Sequence, residues 1–336
     1  MNFPKLALSA ALIGALACSP AMASLAKSYQ FNGKGNWSLD AAGSNSTPVG
    51  NISAVIPTGS TVEKAFLYSS LYTPTSTPSV TFDGTVYGPS SWTALGVTAG
   101  LQAFRTDVTS QVAAKVGGGS ASPFSFSVDS ETPNTLIDGE ALAIVYSNPA
   151  EKERTIAFLD GFSATTGDST ALNLAEALTG AQLADPTFEA MLSLGIGFGF
   201  QPSGQVSTVD VNGQRMTSCA GGYDDGIGTN GGLITIGGIG DDFTTNPAAN
   251  CSDSGGPLVD DEAYTLLPFL TAGDTSITID TRNPSNDDNI FFAGVNITAV
   301  AGVNEPPPVN GNVPAPAGLL LMLAGLGAAR LASRRK

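Results

Sequence analysis

Phe124-Ser125-Phe126-Ser127-Val128 puts large apolar side chains at alternate positions and hydroxyls between them. Successive side chains of an extended chain point to opposite faces of a sheet, so this stretch reads as a strand with one packed and one wet face. Ile277-Thr278-Ile279-Asp280 repeats the pattern. Working outward, runs rich in β-branched and aromatic residues predict strands over 51–56, 63–72, 79–87, 124–129, 141–146, 155–159, 206–211, 276–280 and 289–297. Asp83-Gly84, Asp138-Gly139, Asp160-Gly161 and Asn212-Gly213 tolerate the positive φ of tight hairpins and predict turns. Spacing and turn chemistry together predict an all-β fold, a jelly-roll-like β-sandwich, either one elaborated or two stacked.

One region departs from this pattern. Leu172 to Leu183 and Pro186 to Leu194 carry Ala, Leu, Glu and Met at helical intervals, and Asp185-Pro186-Thr187 reads as a helix start. A small helical insertion is therefore expected at about residues 170–194. The Gly-rich stretch from Gly221 to Gly240 reads as an inter-domain crossing or a long loop. No repeat period is visible, which argues against a β-helix.

The two ends read as addresses. Lys5, the apolar run Leu6 to Ala17 and the small residues Ala21-Met22-Ala23 predict a signal peptide over 1–23, with the mature chain beginning near Ser24. Lipidation at Cys18 is the less favoured alternative, because Ala15 stands three positions before it where Leu is expected and a better cleavage site follows. The extracellular body is expected over 24–303, and residues 304–312, rich in Pro, Gly and Asn, read as a solvated linker. Residues 313–336 follow, with an apolar stretch from Ala317 to Ala329 and a basic end. That stretch is short of the ~20 residues that span a bilayer comfortably. Arg330, Arg334, Arg335 and Lys336 place its far side in the cytoplasm and everything before it outside.

Val313-Pro314-Ala315-Pro316-Ala317, the Leu-rich run and Arg334-Arg335-Lys336 resemble the sorting tails of the PEP-CTERM class, most closely the variant reading Val-Pro-Leu-Pro-Ala. Ala315 departs from the usual Glu or Leu. The resemblance implies export by a Gram-negative bacterium, transient inner-membrane anchoring through the tail as a transmembrane segment, and cleavage by an exosortase-like enzyme. It implies a cell-surface, extracellular or biofilm-matrix destination, with signal peptidase and that sorting enzyme as partners. A plain uncut anchor is the alternative. The body, through Thr106 to Thr109, Asp138 to Tyr146, Asp260 to Tyr264 and Asn286 to Phe292, resembles secreted bacterial β-sandwich proteins with no assigned reaction.

The chain has 14 basic and 29 acidic residues and no His. Removing both ends leaves nine cations against 29 anions, so the body carries a charge near −20. Such a surface stays hydrated and repels nucleic acid. Cys219 and Cys251, an even pair in an exported chain, predict one disulfide that contributes about 3 kcal/mol. Two thiolates without His make a poor zinc site.

Asp253-Ser254-Gly255-Gly256-Pro257-Leu258 resembles the nucleophile segment of trypsin-like peptidases, but a Ser hydroxyl needs a positioned base, and that family's base is His. A turn held by the disulfide explains the motif instead. Acidic pairs at 224–225, 241–242 and 287–288 read as solvated turns. Asp260-Asp261-Glu262 is the first choice for a structural Ca²⁺, the one cofactor considered.

These readings lead to a non-catalytic surface or matrix protein, structural or adhesive in role. The first alternative is a carbohydrate-binding module for extracellular polysaccharide, for which Trp37, Trp92, Tyr72 and Tyr87 are the aromatic candidates. The second is a hydrolase with two carboxylates about 5 to 9.5 Å apart across a cleft.

Overall fold

Strand β1 (Ala26–Gly43) organises the fold because it belongs to two layers. Residues 26–34 pair with one antiparallel strand and residues 35–43 with another, the change falling between Lys34 and Gly35. A side chain at Gly35 would lie 2.2 Å from the Tyr146 carbonyl oxygen, so only glycine allows the close crossing there. The computed structural model describes residues 25–308 apart from 45–46, 73–75, 99, 119–121, 131–136, 164, 198–205, 219, 222–233, 247–248, 251–261 and 287–288. The expected signal peptide, the sorting tail, the far end of the linker, Cys219, Cys251, Asp260, Asp261 and the Asp253 to Leu258 motif lie outside the described residues.

After β1 come β2 (Val49–Ala54), β3 (Thr61–Tyr72), β4 (Val80–Phe82), β5 (Thr85–Tyr87), β6 (Thr93–Thr98) and β7 (Leu101–Asp107). Helix α1 (Thr109–Gly118) precedes β8 (Phe124–Ser130), β9 (Ile137–Ser147), β10 (Glu153–Asp160) and β11 (Asp168–Leu174). Helix α2 (Gly180–Ala184) leads to β12 (Ala190–Gly197), β13 (Thr208–Val211), β14 (Gln214–Thr217) and β15 (Thr235–Ile236). The last strands are β16 (Ala263–Thr265), β17 (Ser276–Arg282), β18 (Asn289–Ile297) and β19 (Ala301–Val303).

Among the described residues these strands form three sheets, in the orders β15-β12-β18-β10-β1-β9-β3-β7-β6 (with β16 also paired to β12), β14-β13-β17-β11-β19 and β2-β8-β4-β5. The largest folds over at the middle of β1, so its two halves face each other and each carries a smaller sheet on its outer side. The result is two stacked sandwiches in four layers. Strand parity shows this directly. Leu142, Ile144 and Tyr146 of β9 pack with Ile52, Phe82, Phe126 and Val128 of the four-stranded sheet. Ala141, Ala143 and Val145 pack toward Ile156, Phe158 and Phe292 of the other half-sheet. Ala157, Leu159, Leu192, Val295 and Ile297 then meet Leu172, Val209, Val211, Ile277 and Ile279 of the five-stranded sheet. Each fully buried side chain of this size contributes about 1.5–3 kcal/mol.

The all-β sandwich is thus as expected, while the helical reading of Leu172 to Leu194 is corrected. Helix is confined there to Gly180–Ala184, capped by Thr179 and Gln182. Leu172 and Leu174 alternate inward on β11, and Leu192, Leu194 and Ile196 do so on β12. Cross-strand partners on β17 and β18 override the helical propensity of Ala, Leu and Met. Asp83-Gly84 and Asn212-Gly213 do form hairpin turns with positive φ at all four residues. Asp138-Gly139 instead lies inside β9, and Asp160 ends β10. Within the Gly-rich stretch, Thr235 and Ile236 add a short edge strand. Among the described residues no helix is long and apolar enough to cross a membrane.

Candidate functional site

Where the half-sheet ending in β1 stops short of covering β7 and β6, a cleft of about 720 Å³ opens between Ser28 and Tyr29 on one side and β3, β5, β6 and β7 on the other. Its floor follows from strand period. Lys64, Phe66 and Tyr68 occupy alternate positions of β3 and share a face. Arg105 of β7 is the cross-strand neighbour of Tyr68, and Thr93 of β6 is that of Arg105. Along this row burial deepens from Lys64 at the rim, through Phe66, to Tyr68, which is completely enclosed.

The Arg105 guanidinium lies 4.5 Å from the Phe66 ring centre and 2.5 Å from the buried Asp160 carboxylate. The Tyr68 hydroxyl donates to the same Asp160 oxygen at 3.1 Å. Burial pushes the Asp160 carboxyl up, against the opposing pull of Arg105 and of hydrogen bonds from Ser28, Arg105 and Tyr68. Burial and the neighbouring Asp160 drive the Tyr68 phenol well above its ordinary range. Lys64 Nζ sits 5.5 Å from the Phe66 ring centre, 5.8 Å from that of Tyr29 and 3.0 Å from Asp107. Although burial raises the Asp107 carboxyl, hydrogen bonds from Thr109 and Lys64 outweigh it and hold the group below its usual range. Tyr87 closes the far wall, its hydroxyl 2.7 Å from Gln111 of α1. Ser28, Ser91 and Thr93 complete the lining, with Thr106 contributing from β7, where it alternates with Arg105 and is itself buried.

Of the aromatic candidates, Tyr87 lines the cleft, while Trp92 is buried in the core with its indole N–H on the Tyr87 carbonyl. Trp37 packs against Phe243, and Tyr72 is exposed at the end of β3. Tyr29, Lys64, Phe66 and Arg105 were not singled out by the sequence reading. Their only signal is that Lys64 and Phe66 stand two apart on one strand in a body that has nine cations.

Glu262, the described member of the Ca²⁺ candidate, is fully buried and accepts from the Gly221 backbone N–H, with the Tyr264 hydroxyl 3.4 Å away. Asp241 accepts from the Gly238 N–H, and Asp242 from Thr244 and Thr245, as expected of turn carboxylates. Among the described residues no three Cys, Asp or Glu side chains gather closely enough to hold a metal ion.

No family model matches the chain, and no curated protein does. Among solved structures it is similar to a β-porphyranase of glycoside hydrolase family 86 from Bacteroides plebeius, at 12% identity and a TM-score of 0.25. The match covers 78% of this chain and 35% of that one, so this chain spans about a third of the porphyranase's length. PNGase F, a glycosylasparaginase from Flavobacterium meningosepticum, matches at 12% identity and 0.22 over 84% of this chain and 98% of the other. The major capsid protein P2 of bacteriophage PM2 matches at 13% and 0.21, over 82% and 99%. At these scores none of them defines the fold or an activity.

Proposed function

We propose that this is a non-catalytic exported surface or extracellular-matrix protein, structural or adhesive in role, that engages extracellular polysaccharide through the Tyr29–Phe66–Arg105 cleft. The observation that carries the reading is the composition of that cleft: ring surfaces, several hydroxyls, two cations and the Asp107 carboxylate along one open-sided groove. Sugars offer this mixture in reverse, with apolar C–H faces rimmed by hydroxyls, and sites for them combine apolar surface with a few placed polar groups. The surface address rests on the paired export signals in the sequence.

The test uses mature protein purified from its host. Affinity electrophoresis in gels containing dextran, agarose or polygalacturonate should retard the protein in at least one gel. Tyr29→Ala with Tyr87→Ala should abolish the retardation at a temperature where circular dichroism shows the variant folded, since both rings also pack against the cores and their loss lowers the melting temperature. Release of reducing ends would refute the non-catalytic reading, and unchanged mobility in every gel would refute the binding reading. Deleting residues 313–336 should release the protein from the cell surface.

A further inference from the structure

Building on the saccharide reading, we infer that the sugar held in this cleft carries a carboxylate group, received by Arg105 and Lys64. Both cations rest against the same ring: Arg105 is 4.5 Å and Lys64 5.5 Å from the centre of Phe66. They occupy surface on which a neutral pyranose would stack, so a ligand entering over Phe66 meets positive charge before it meets the ring.

The counter-ions do not exhaust these cations. Asp160 is buried and takes one guanidinium N–H, whereas an arginine has five to offer. It fixes the side chain from behind. Asp107 stands at the rim with about half of its side chain exposed. An exposed ion pair of this kind is worth only about 0–1 kcal/mol, so an incoming anion exchanges with Asp107 at little cost. Arg105, already ordered by Asp160 and Phe66, loses little rotamer freedom when the anion arrives. The acidic remainder of the body repels a polyanion at long range. At about 0.15 M salt that field is screened beyond ~8 Å, while contact with the two cations is not.

Polygalacturonate and its methyl ester share one backbone and differ in charge and a methyl group on each unit. They form a matched pair of probes for the mature protein at that salt concentration, with polyglutamate as an acidic polymer that is not a sugar. Titration calorimetry should show the acid form binding about tenfold or more tighter than the ester, the worth of one charge-assisted hydrogen bond. Lys64→Gln, a rim substitution, should weaken the acid form severalfold more than it weakens the ester. Arg105→Lys keeps the charge beside Asp160 but loses the fork, and should weaken the acid form more than Lys64→Gln does. Equal affinity for acid and ester, or preference for the ester, overturns the charge inference and leaves the saccharide reading standing. Binding of polyglutamate alone overturns the saccharide reading itself. Binding of none of these probes overturns the charge inference, and the saccharide reading falls with it only if dextran and agarose gels also leave the mobility unchanged.

Discussion

Glu140 of β9 lies fully buried, with the Ser130 hydroxyl 2.9 and 2.8 Å from its two carboxylate oxygens and the Ser69 hydroxyl 3.3 Å from one of them. Burial lifts its carboxyl from 4.5 to about 7, against the two serine hydrogen bonds and with a small push from Asp129. The native state therefore holds this proton more tightly than the unfolded chain does. Its contribution to stability is complete below pH 4.5, is lost as pH rises through about 7, and then levels off. At roughly 1.4 kcal/mol for each tenfold change in proton affinity, the loss is about 3 kcal/mol. Glu140→Gln keeps the shape and the acceptor but cannot ionise. Urea unfolding should find the variant close to the unmodified protein at pH 5 and more stable by up to about 3 kcal/mol at pH 8. Burial also raises Asp40, to about 6, and Asp160, but both titrate in either protein, so the difference between the two isolates Glu140. Parallel pH profiles for the two proteins would refute the reasoning.

Three further outcomes follow from the geometry. Gly35→Ala places a methyl 2.2 Å from the Tyr146 carbonyl oxygen where β1 changes partners, and should cost at least about 3 kcal/mol in thermal unfolding or prevent folding. Tyr68→Phe removes the hydroxyl that donates to Asp160 and should cost about 1 kcal/mol at pH 8, measured by urea unfolding. Asn212→Ala loses the side chain's bonds to the Phe269 carbonyl and the Thr278 N–H, and puts alanine at a φ of 49°. It should lower stability by about 2 kcal/mol, whereas Asn212→Gly restores the backbone freedom and recovers part of the loss.

Much of the sheet architecture was legible from short-range signals. Phe124 to Val128 alternates because one side of β8 is core and the other solvent, and Asp83-Gly84 turns because both residues take positive φ. What failed was long-range. β11 and β12 carry helix-favouring residues, and partners far along the chain, chiefly β17 and β18 about a hundred positions later, hold them extended. The near-continuous apolar run of β9 follows from its place between two cores, which no local pattern specifies. The cleft was harder still. Ser28, Lys64, Tyr87 and Arg105 come from four separate strands or their flanks, and only the fold of β1 at Gly35 brings the first against the others.

The most direct test of the account is amide hydrogen exchange of the mature protein, with and without a saturating concentration of whichever saccharide binds most tightly among polygalacturonate, its methyl ester and dextran. Slowed exchange should map to residues 26–31, 64–68 and 103–107, around Tyr29, Phe66 and Arg105. Protection confined to the β13–β14 hairpin or the other face of the molecule, or no change at all, would contradict the assignment of this cleft as the binding site.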